Sequence, residues 1–140
     1  MSTTESLAEI LTAAARFVRL AGSVTTSDVP HAVTRALAIL DDNDGLRVTE
    51  FAALDRSSQP AATALLGRLA ERGLVERGKD PADSRAVIVT ITEAGREQLA
   101  AARHAAAVAL TPYLHDIDPE DLTHVLAGLN RLVEALGRTR

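Results

Sequence analysis

One stretch of the chain, from Ser57 to Arg72, combines small, polar and basic residues in a helical spacing. A helix is predicted to begin there at Ser57 or Ser58 and to end at Arg72. Its apolar residues recur at intervals of three and four and predict a buried stripe formed by Ala62, Leu65, Leu66 and Leu69. The rest of the helix supplies the residues that could contact DNA, which are Ser57, Ser58, Gln59, Ala61, Thr63, Ala64 and Arg68.

These residue types suit the major groove of DNA. Gln59 and Thr63 can form hydrogen bonds with base edges, and Arg68 can reach a phosphate. Small side chains allow a helix to lie deep in the groove, and an alanine methyl can contact a thymine methyl. The alternative interpretation is a buried helix whose outer face is merely short.

A β-hairpin with a charged loop is predicted directly after this helix. One strand leads up through Val75 and Arg77, the loop runs from Gly78 to Arg85, and the second strand runs from Ala86 to Ile91. The loop tip is expected to present Arg77, Lys79 and Arg85. The residues expected to contact DNA from this hairpin are Arg77, Lys79, Asp83, Ser84 and Arg85. An arginine on a narrow tip suits the minor groove, where negative potential is concentrated. Asp83 is close enough to hold that guanidinium or the loop backbone.

A short helix and a tight turn precede the proposed DNA-contacting helix. Thr49 is predicted to cap a helix of two turns, and the turn follows at Asp55 and Arg56. Leu46 to Val48 is an extended piece that could pair with the hairpin as a third strand. Two helices, a tight turn and a hairpin together form a device that reads DNA.

The two terminal helices carry the same apolar pattern. The first is predicted from Thr4 to Gly22, and the last begins at Pro119 with Asp118 as its cap. Neither helix can bury its stripe alone, so we expect the two to pack together and against a second copy of the chain. An intramolecular bundle without a partner is the alternative. The residues assigned to dimerisation are Leu7, Ile10, Leu11, Phe17, Leu122, Val125, Leu126, Leu129, Leu132, Val133 and Leu136.

Two further helices connect these parts. The polar residues 25–28 are predicted to cap a second helix, with Pro30 in its first turn and an end near Asp42. A long helix starts at Thr92 as its cap, and Pro112 is predicted to kink or end it. The expected organisation is a mainly α-helical chain with a small β-hairpin wing, compact as a single domain. Residues 25–92 form its DNA-binding region, and residues 1–24 and 93–140 form its helical dimerisation region.

Composition limits the possible functions. The chain has 140 residues and no cysteine, which excludes disulfides and thiolate metal sites. No apolar run approaches a membrane span and no signal peptide is evident, so we expect a cytoplasmic protein without a membrane partner. The net charge is −4, yet seven basic and six acidic residues lie between Arg47 and Arg85, a slight positive excess.

Enzymatic and metal sites find no support in the sequence. His104, His115 and His124 are too irregularly spaced to form a metal site within one helix, so no metal and no cofactor are expected. There is no Ser/His/Asp or Cys/His arrangement, no phosphate-binding glycine loop and no evident pair of catalytic acids. We therefore expect a protein that is not an enzyme.

Two segments resemble the MarR family of winged-helix regulators. Residues 67–77, Gly-Arg-Leu-Ala-Glu-Arg-Gly-Leu-Val-Glu-Arg, resemble the end of that family's recognition helix. Residues 80–95 are similar to its wing signature, an Asp-x-Arg followed by a strand and Leu-Thr-x-x-Gly. The resemblance implies a homodimer on a palindromic operator, with Asp83 bracing the wing and Arg85 in the minor groove. It also implies a possible small aromatic or anionic effector.

The chain departs from this family at three positions of the proposed DNA surface. Ala61 stands where Thr or Ser is common, Ala64 where a polar or basic residue is common, and Ser84 where a second arginine is common. We expect a dimeric, sequence-specific transcriptional regulator, a repressor released by a small molecule. The alternative is a winged-helix module that binds proteins and not DNA, favoured by the alanine-rich helix and the net acidity.

Overall fold

The computed structural model describes residues 1–138, which form six α-helices, a short 3-10 helix and one antiparallel sheet. The elements in chain order are α1 (Thr3–Val24), α2 (His31–Asp41), β1 (Leu46–Arg47), α3 (Val48–Asp55), α4 (Gln59–Glu71), β2 (Val75–Asp80), β3 (Asp83–Ile91), α5 (Glu93–Leu110), the 3-10 helix (Thr111–Tyr113) and α6 (Pro119–Gly137). They fall into two compact units, Met1–Ala109 and a second that begins at Leu110.

The core of the first unit lies between α2, α3, α4, the sheet and the start of α5. The predicted stripe of α4 is confirmed, because Ala62, Leu65, Leu66 and Leu69 are all buried. The largest side chains that are almost completely buried come from every one of these elements, and they are Leu37, Leu40, Phe51, Leu66, Leu69, Val75, Val89 and Leu99. Burial of a side chain of this size contributes roughly 1.5–3 kcal/mol, so these contacts fix α4 on its inner face.

The sheet has the strand order β1-β3-β2 and confirms the predicted third strand. Leu46 pairs with Val89 and Arg47 with Ile88. The hairpin loop is much shorter than predicted, since β2 reaches Asp80, β3 begins at Asp83, and only residues 81–82 connect them.

The prediction that Arg77, Lys79 and Arg85 lie in a loop was therefore wrong. Arg77 pairs with Val89 and Lys79 with Val87 on β2, and Arg85 lies on β3. A run of charged residues favours a loop when only local sequence is considered, but an antiparallel ladder with solvent-exposed residues tolerates charge while still satisfying its backbone groups.

Several helix boundaries also differ from the predictions. Pro30 occupies the N-cap position of α2 instead of its first turn, and its carbonyl accepts the Thr34 N–H at 3.3 Å. α3 begins at Val48, one residue before the predicted Thr49 cap. Its N-cap is Arg47, whose backbone N–H donates to Glu50 Oε1 at 2.9 Å. α1 continues two residues beyond Gly22 to Val24.

Other predicted helix ends are confirmed. The Ser58 hydroxyl caps α4 by accepting the Ala61 N–H at 3.2 Å. The Asp118 carboxylate caps α6 by accepting the Glu120 N–H at 2.8 Å. α5 ends at Leu110, before Pro112, and a 3-10 turn follows. Among residues 1–138, none of the helices is both long enough and apolar enough to cross a membrane.

The junction between α4 and α5 depends on a threonine and two glycines. Gly73 ends α4 with a φ of +72°, a conformation that favours glycine. The Thr92 hydroxyl donates to the Gly73 carbonyl at 2.7 Å and accepts the Gly95 N–H at 3.1 Å, while the Thr92 N–H donates to Leu74. A Cβ on Gly95 would lie 2.2 Å from the Leu74 carbonyl oxygen. The start of α5 is thereby held directly against the end of α4.

Candidate nucleic-acid interface

The outer face of α4 is exposed along most of its length. Ser58, Gln59, Ala61, Thr63, Ala64 and Arg68 are all exposed. Gln59, Pro60, Thr63 and Ala64 line a shallow, open depression on this face. Thirteen helical residues extend over about 20 Å at 1.5 Å per residue, enough to cross a major groove.

Ser57 differs from the other residues predicted on this helix. It precedes the first helical residue, Gln59, and its N–H donates to the Ala52 carbonyl at 3.0 Å. Its hydroxyl oxygen is buried without a hydrogen-bond partner among the described residues. Ser57 thus belongs to the turn, and its side chain is not presented to solvent on the face of α4.

The turn before α4 is held by an ion pair that sequence reasoning missed. Arg35 on α2 donates from Nε to Asp55 Oδ1 at 2.8 Å and from Nη2 to the Asp55 carbonyl at 3.3 Å. Asp55 is buried, and Arg56 next to it adopts a left-handed conformation with a φ of +56°. An acidic residue at the end of a short helix was the only available signal, and it did not identify Arg35 as the partner.

Arg85 is a highly accessible cation of the wing. Its side chain is 93% exposed, and its Nε lies 3.6 Å from Asp83 Oδ1. The Arg85 backbone N–H also donates to Asp83 Oδ1 at 3.0 Å. The contact expected between Asp83 and Arg85 is present, chiefly through the backbone, and the guanidinium remains exposed. Lys79 and Ser84 are exposed as well.

Arg77 lies against α4 and away from the wing turn. Its Nη2 is 3.0 Å from the position that a Cβ on Gly67 would occupy. The glycine therefore leaves room for the guanidinium beside the middle of the helix. This contact brings the base of the wing close to the outer part of α4. It also places a positive charge beside the small side chains on that face of the helix.

A second ion pair missed at the sequence level holds the wing turn. Arg47 donates to Asp80 Oδ2 from Nε at 3.1 Å and from Nη2 at 2.6 Å, while Asp80 Oδ1 accepts the Ala82 N–H at 2.9 Å. The Ala82 N–H and the Arg47 guanidinium together lower the pKa of Asp80. Hydrogen bonding and charge attraction from Asp80 raise the pKa of Arg47. The sequence alone does not pair Arg47 with Asp80, because their proximity depends on the register of the strands.

The residues assigned to dimerisation are exposed in the single chain. α1 has no buried residue, and its Leu11 and Phe17 are 71% and 56% exposed. α6, described by itself, has no buried residue either. The other assigned residues exposed in the same way are Leu7, Ile10, Leu122, Val125, Leu126, Leu129, Leu132, Val133 and Leu136. Exposed apolar stripes of this length are typical of protein interfaces.

No group of three or more His, Cys, Asp or Glu side chains within residues 1–138 could hold a metal ion. The chemistry that this surface offers is hydrogen bonding from α4 together with positive charge from the wing. Such a surface suits a polyanion with readable base edges, and it offers no catalytic arrangement.

Comparison with known proteins gives consistent results. A MarR family model matches residues 27–86. The chain is 32% identical over 80 residues to the uncharacterized HTH-type transcriptional regulator Mb0904 of Mycobacterium bovis, a match covering 57% of this chain and 56% of that protein. The chain thus spans about half the length of these curated mycobacterial relatives.

Solved structures extend the likeness over more of the chain. RV1404 from Mycobacterium tuberculosis shares the fold, with a TM-score of 0.66, 18% identity and coverage of 98% of this chain and 96% of that one. A MarR family transcriptional regulator from Silicibacter pomeroyi is 30% identical, covering 75% of this chain and 70% of its own, with a TM-score of 0.52. The winged helix-turn-helix expected from the sequence is confirmed, and the chain belongs to the MarR family of transcriptional regulators.

Proposed function

We propose that this protein is a homodimeric, sequence-specific DNA-binding transcriptional regulator that acts from a palindromic operator in the cytoplasm. Mb0904 and the Silicibacter pomeroyi protein are both named as transcriptional regulators. In this proposal α4 is the recognition helix, and the hairpin formed by β2 and β3 is the wing.

The observation that carries the proposal is the exposed surface shared by α4 and the wing. Gln59 and Thr63 present hydrogen-bonding groups at the start of α4, and Arg77 lies beside Gly67 further along the same helix. Arg85 extends its guanidinium into solvent from β3. A major-groove helix flanked by a cation for the minor groove combines base readout with phosphate attraction.

Dimerisation is supported by the exposed apolar stripes of α1 and α6. A second copy would bury each stripe and place two recognition helices on successive turns of DNA, about 34 Å apart. A two-fold symmetric protein reads a palindromic site for the same geometric reason.

Repression, and its release by a small aromatic or anionic effector, are the finer parts of the proposal. A dimer bound across a promoter would exclude polymerase, and a ligand with lower affinity for the DNA-bound conformation would favour release. A reporter driven by the protein's own upstream region tests the sign of regulation. Expression should rise on deletion of the gene for a repressor and fall for an activator.

The first test is binding of the pure protein to DNA from upstream of its own gene, followed by fluorescence anisotropy. Affinity should fall at least about tenfold between about 50 mM and about 200 mM salt, because phosphate contacts release counterions. Arg85→Ala should weaken binding by about tenfold. Arg19→Ala removes the same charge from exposed α1 and serves as the control, with little expected effect.

Base readout requires a separate comparison among DNA sites. Gln59→Ala or Thr63→Ala should change the preference among related sequences more than the affinity for random DNA. Equal affinity of all variants for all sequences would remove these two residues from the readout. No preference of the wild-type protein over random DNA would favour the protein-binding module, to which the small-residue face of α4 is also suited.

A further inference from the structure

The geometry points to Arg47 and Asp80 as positioning residues that hold the wing turn and thereby place Arg85 for DNA binding. This inference rests on the proposed function and adds two residues outside the set assigned to DNA contact. Both act through the wing, since their charged groups bind each other and Asp80 also binds the wing turn.

The pair joins the two edges of the sheet. Arg47 lies on β1 and Asp80 on β2, and β3 lies between these strands. The Arg47 side chain therefore crosses the central strand to reach the wing. Both of its bonds end on Asp80 Oδ2, at 3.1 Å from Nε and 2.6 Å from Nη2.

Asp80 connects this ion pair to the turn itself. Its other oxygen, Oδ1, accepts the N–H of Ala82, one of the two residues that link β2 to β3. The ladder is irregular between Lys79 and Asp80, so strand pairing alone fixes the turn less strongly there. The Asp80 side chain is only 12% exposed, which leaves both oxygens committed to these contacts.

Arg47 also connects the pair to the first helix of the helix-turn-helix. It is the N-cap residue of α3, and its backbone N–H donates to Glu50 Oε1 at 2.9 Å. The wing turn is thereby linked to the start of α3 through one residue. Arg85 follows the turn after two residues, so movement of the turn would displace its guanidinium.

Positioning and simple electrostatics predict opposite effects for one substitution. Asp80→Asn removes a negative charge near DNA, and electrostatics alone would then strengthen binding. The asparagine oxygen can still accept the Ala82 N–H, but its amide nitrogen cannot accept from Arg47. If the pair positions the wing, Asp80→Asn weakens DNA binding in spite of the more favourable charge.

The experiment compares Asp80→Asn with Glu76→Gln in anisotropy titrations at low and moderate salt. Glu76 is exposed on β2 and forms no ion pair among the described residues, so its substitution removes the same charge without the contact. Asp80→Asn is expected to weaken binding by about two- to fivefold, in keeping with the strength of a partly exposed ion pair. Glu76→Gln should leave affinity unchanged or raise it.

A double-mutant cycle tests whether the loss of DNA affinity caused by Asp80→Asn depends on Arg85 and Arg47. In an Arg85→Ala background Asp80→Asn should cause no further loss, because the guanidinium that it positions is absent. In an Arg47→Gln background Asp80→Asn should likewise add no loss. Thermal unfolding of each variant, measured at one protein concentration, shows that the molecules compared are folded.

The outcomes separate this inference from the function on which it rests. If wild-type protein does not prefer its upstream DNA, the proposed function fails. If wild-type protein binds and Arg85→Ala weakens it, but Asp80→Asn binds as well as Glu76→Gln or better, the positioning role alone is overturned. A further loss from Asp80→Asn in the absence of Arg85 would overturn it also.

Discussion

At the scale of the residue, Gly95 shows how the surroundings can require the absence of a side chain. A Cβ at this position would lie 2.2 Å from the Leu74 carbonyl oxygen and 2.7 Å from Ile91 Cγ1. The first neighbour is backbone held by a hydrogen bond from Thr92, so it cannot move as a flexible side chain could. This single position therefore determines how closely α5 approaches the end of α4.

Gly95→Ala should lower the free energy of unfolding by about 1–3 kcal/mol, the usual cost of overpacking. Urea denaturation at a fixed protein concentration measures the change. The matched control is Gly22→Ala, since Gly22 is also helical but has no atom within 4 Å of its built Cβ. Equal effects of the two substitutions would contradict the steric explanation.

Gly67 presents the opposite case, in which the nearest neighbour is the flexible end of Arg77. Alanine is favoured over glycine inside a helix by about 1 kcal/mol, so Gly67→Ala should stabilise the protein by up to that amount. The added methyl would displace the Arg77 guanidinium from α4, and we expect DNA binding to weaken. Stability and affinity should thus change in opposite directions.

The control for this prediction is the same substitution in an Arg77→Ala background. There Gly67→Ala should still raise stability, but it should no longer weaken DNA binding. A loss of affinity of the same size with and without Arg77 would show that the methyl group itself obstructs the DNA.

At the scale of the element, periodic burial was predictable and strand extent was not. The stripe of α4 follows from local spacing, because a helix buries one face irrespective of distant contacts. The hairpin depends on cross-strand pairing, and charged residues such as Lys79 gave no local sign that the ladder continues to Asp80. Arg77 was consequently expected at the tip instead of beside Gly67.

Ion pairs between distant elements could not be predicted from the sequence for a related reason. Arg35 and Asp55 are twenty positions apart, and Arg47 and Asp80 are thirty-three apart. Each chain segment offers several possible partners of opposite charge, and only the register and packing select one. The chemistry of a single residue, such as the Asp118 cap, needs no such information and was predicted.

The wing turn should respond to pH only in acid. The Asp80 pKa is lowered from 3.8 in the folded protein by the Ala82 N–H and by Arg47, so its contribution to stability is complete above the unfolded value. That contribution is lost as the pH falls through the lower, folded pKa. The Ala82 amide shift, followed by NMR, should stay constant from neutral pH to about pH 4 and change below it. In Asp80→Asn this acid transition should be absent.

At the scale of the whole molecule, the proposed dimer depends on apolar side chains that are exposed in the single chain and would be buried by a second copy. Leu126 on α6 is 60% exposed and belongs to the apolar stripe of that helix. Ala127 follows it about 100° further around the helix, at the spacing of about 3.6 residues per turn, and lies outside the stripe. A glutamate at either position changes the net charge equally, but only one of them would place a charge in the interface.

Leu126→Glu should therefore weaken self-association by more than tenfold, because each buried leucine contributes roughly 1.5–3 kcal/mol and both copies lose one. Sedimentation velocity over a range of concentrations measures the monomer–dimer equilibrium, with Ala127→Glu as the control. Binding to a palindromic site should fall with the dimer, while binding to an isolated half-site should change little, since α4 and the wing are untouched. Wild-type protein that sediments as a monomer at every concentration would eliminate the homodimer, and with it the palindromic operator.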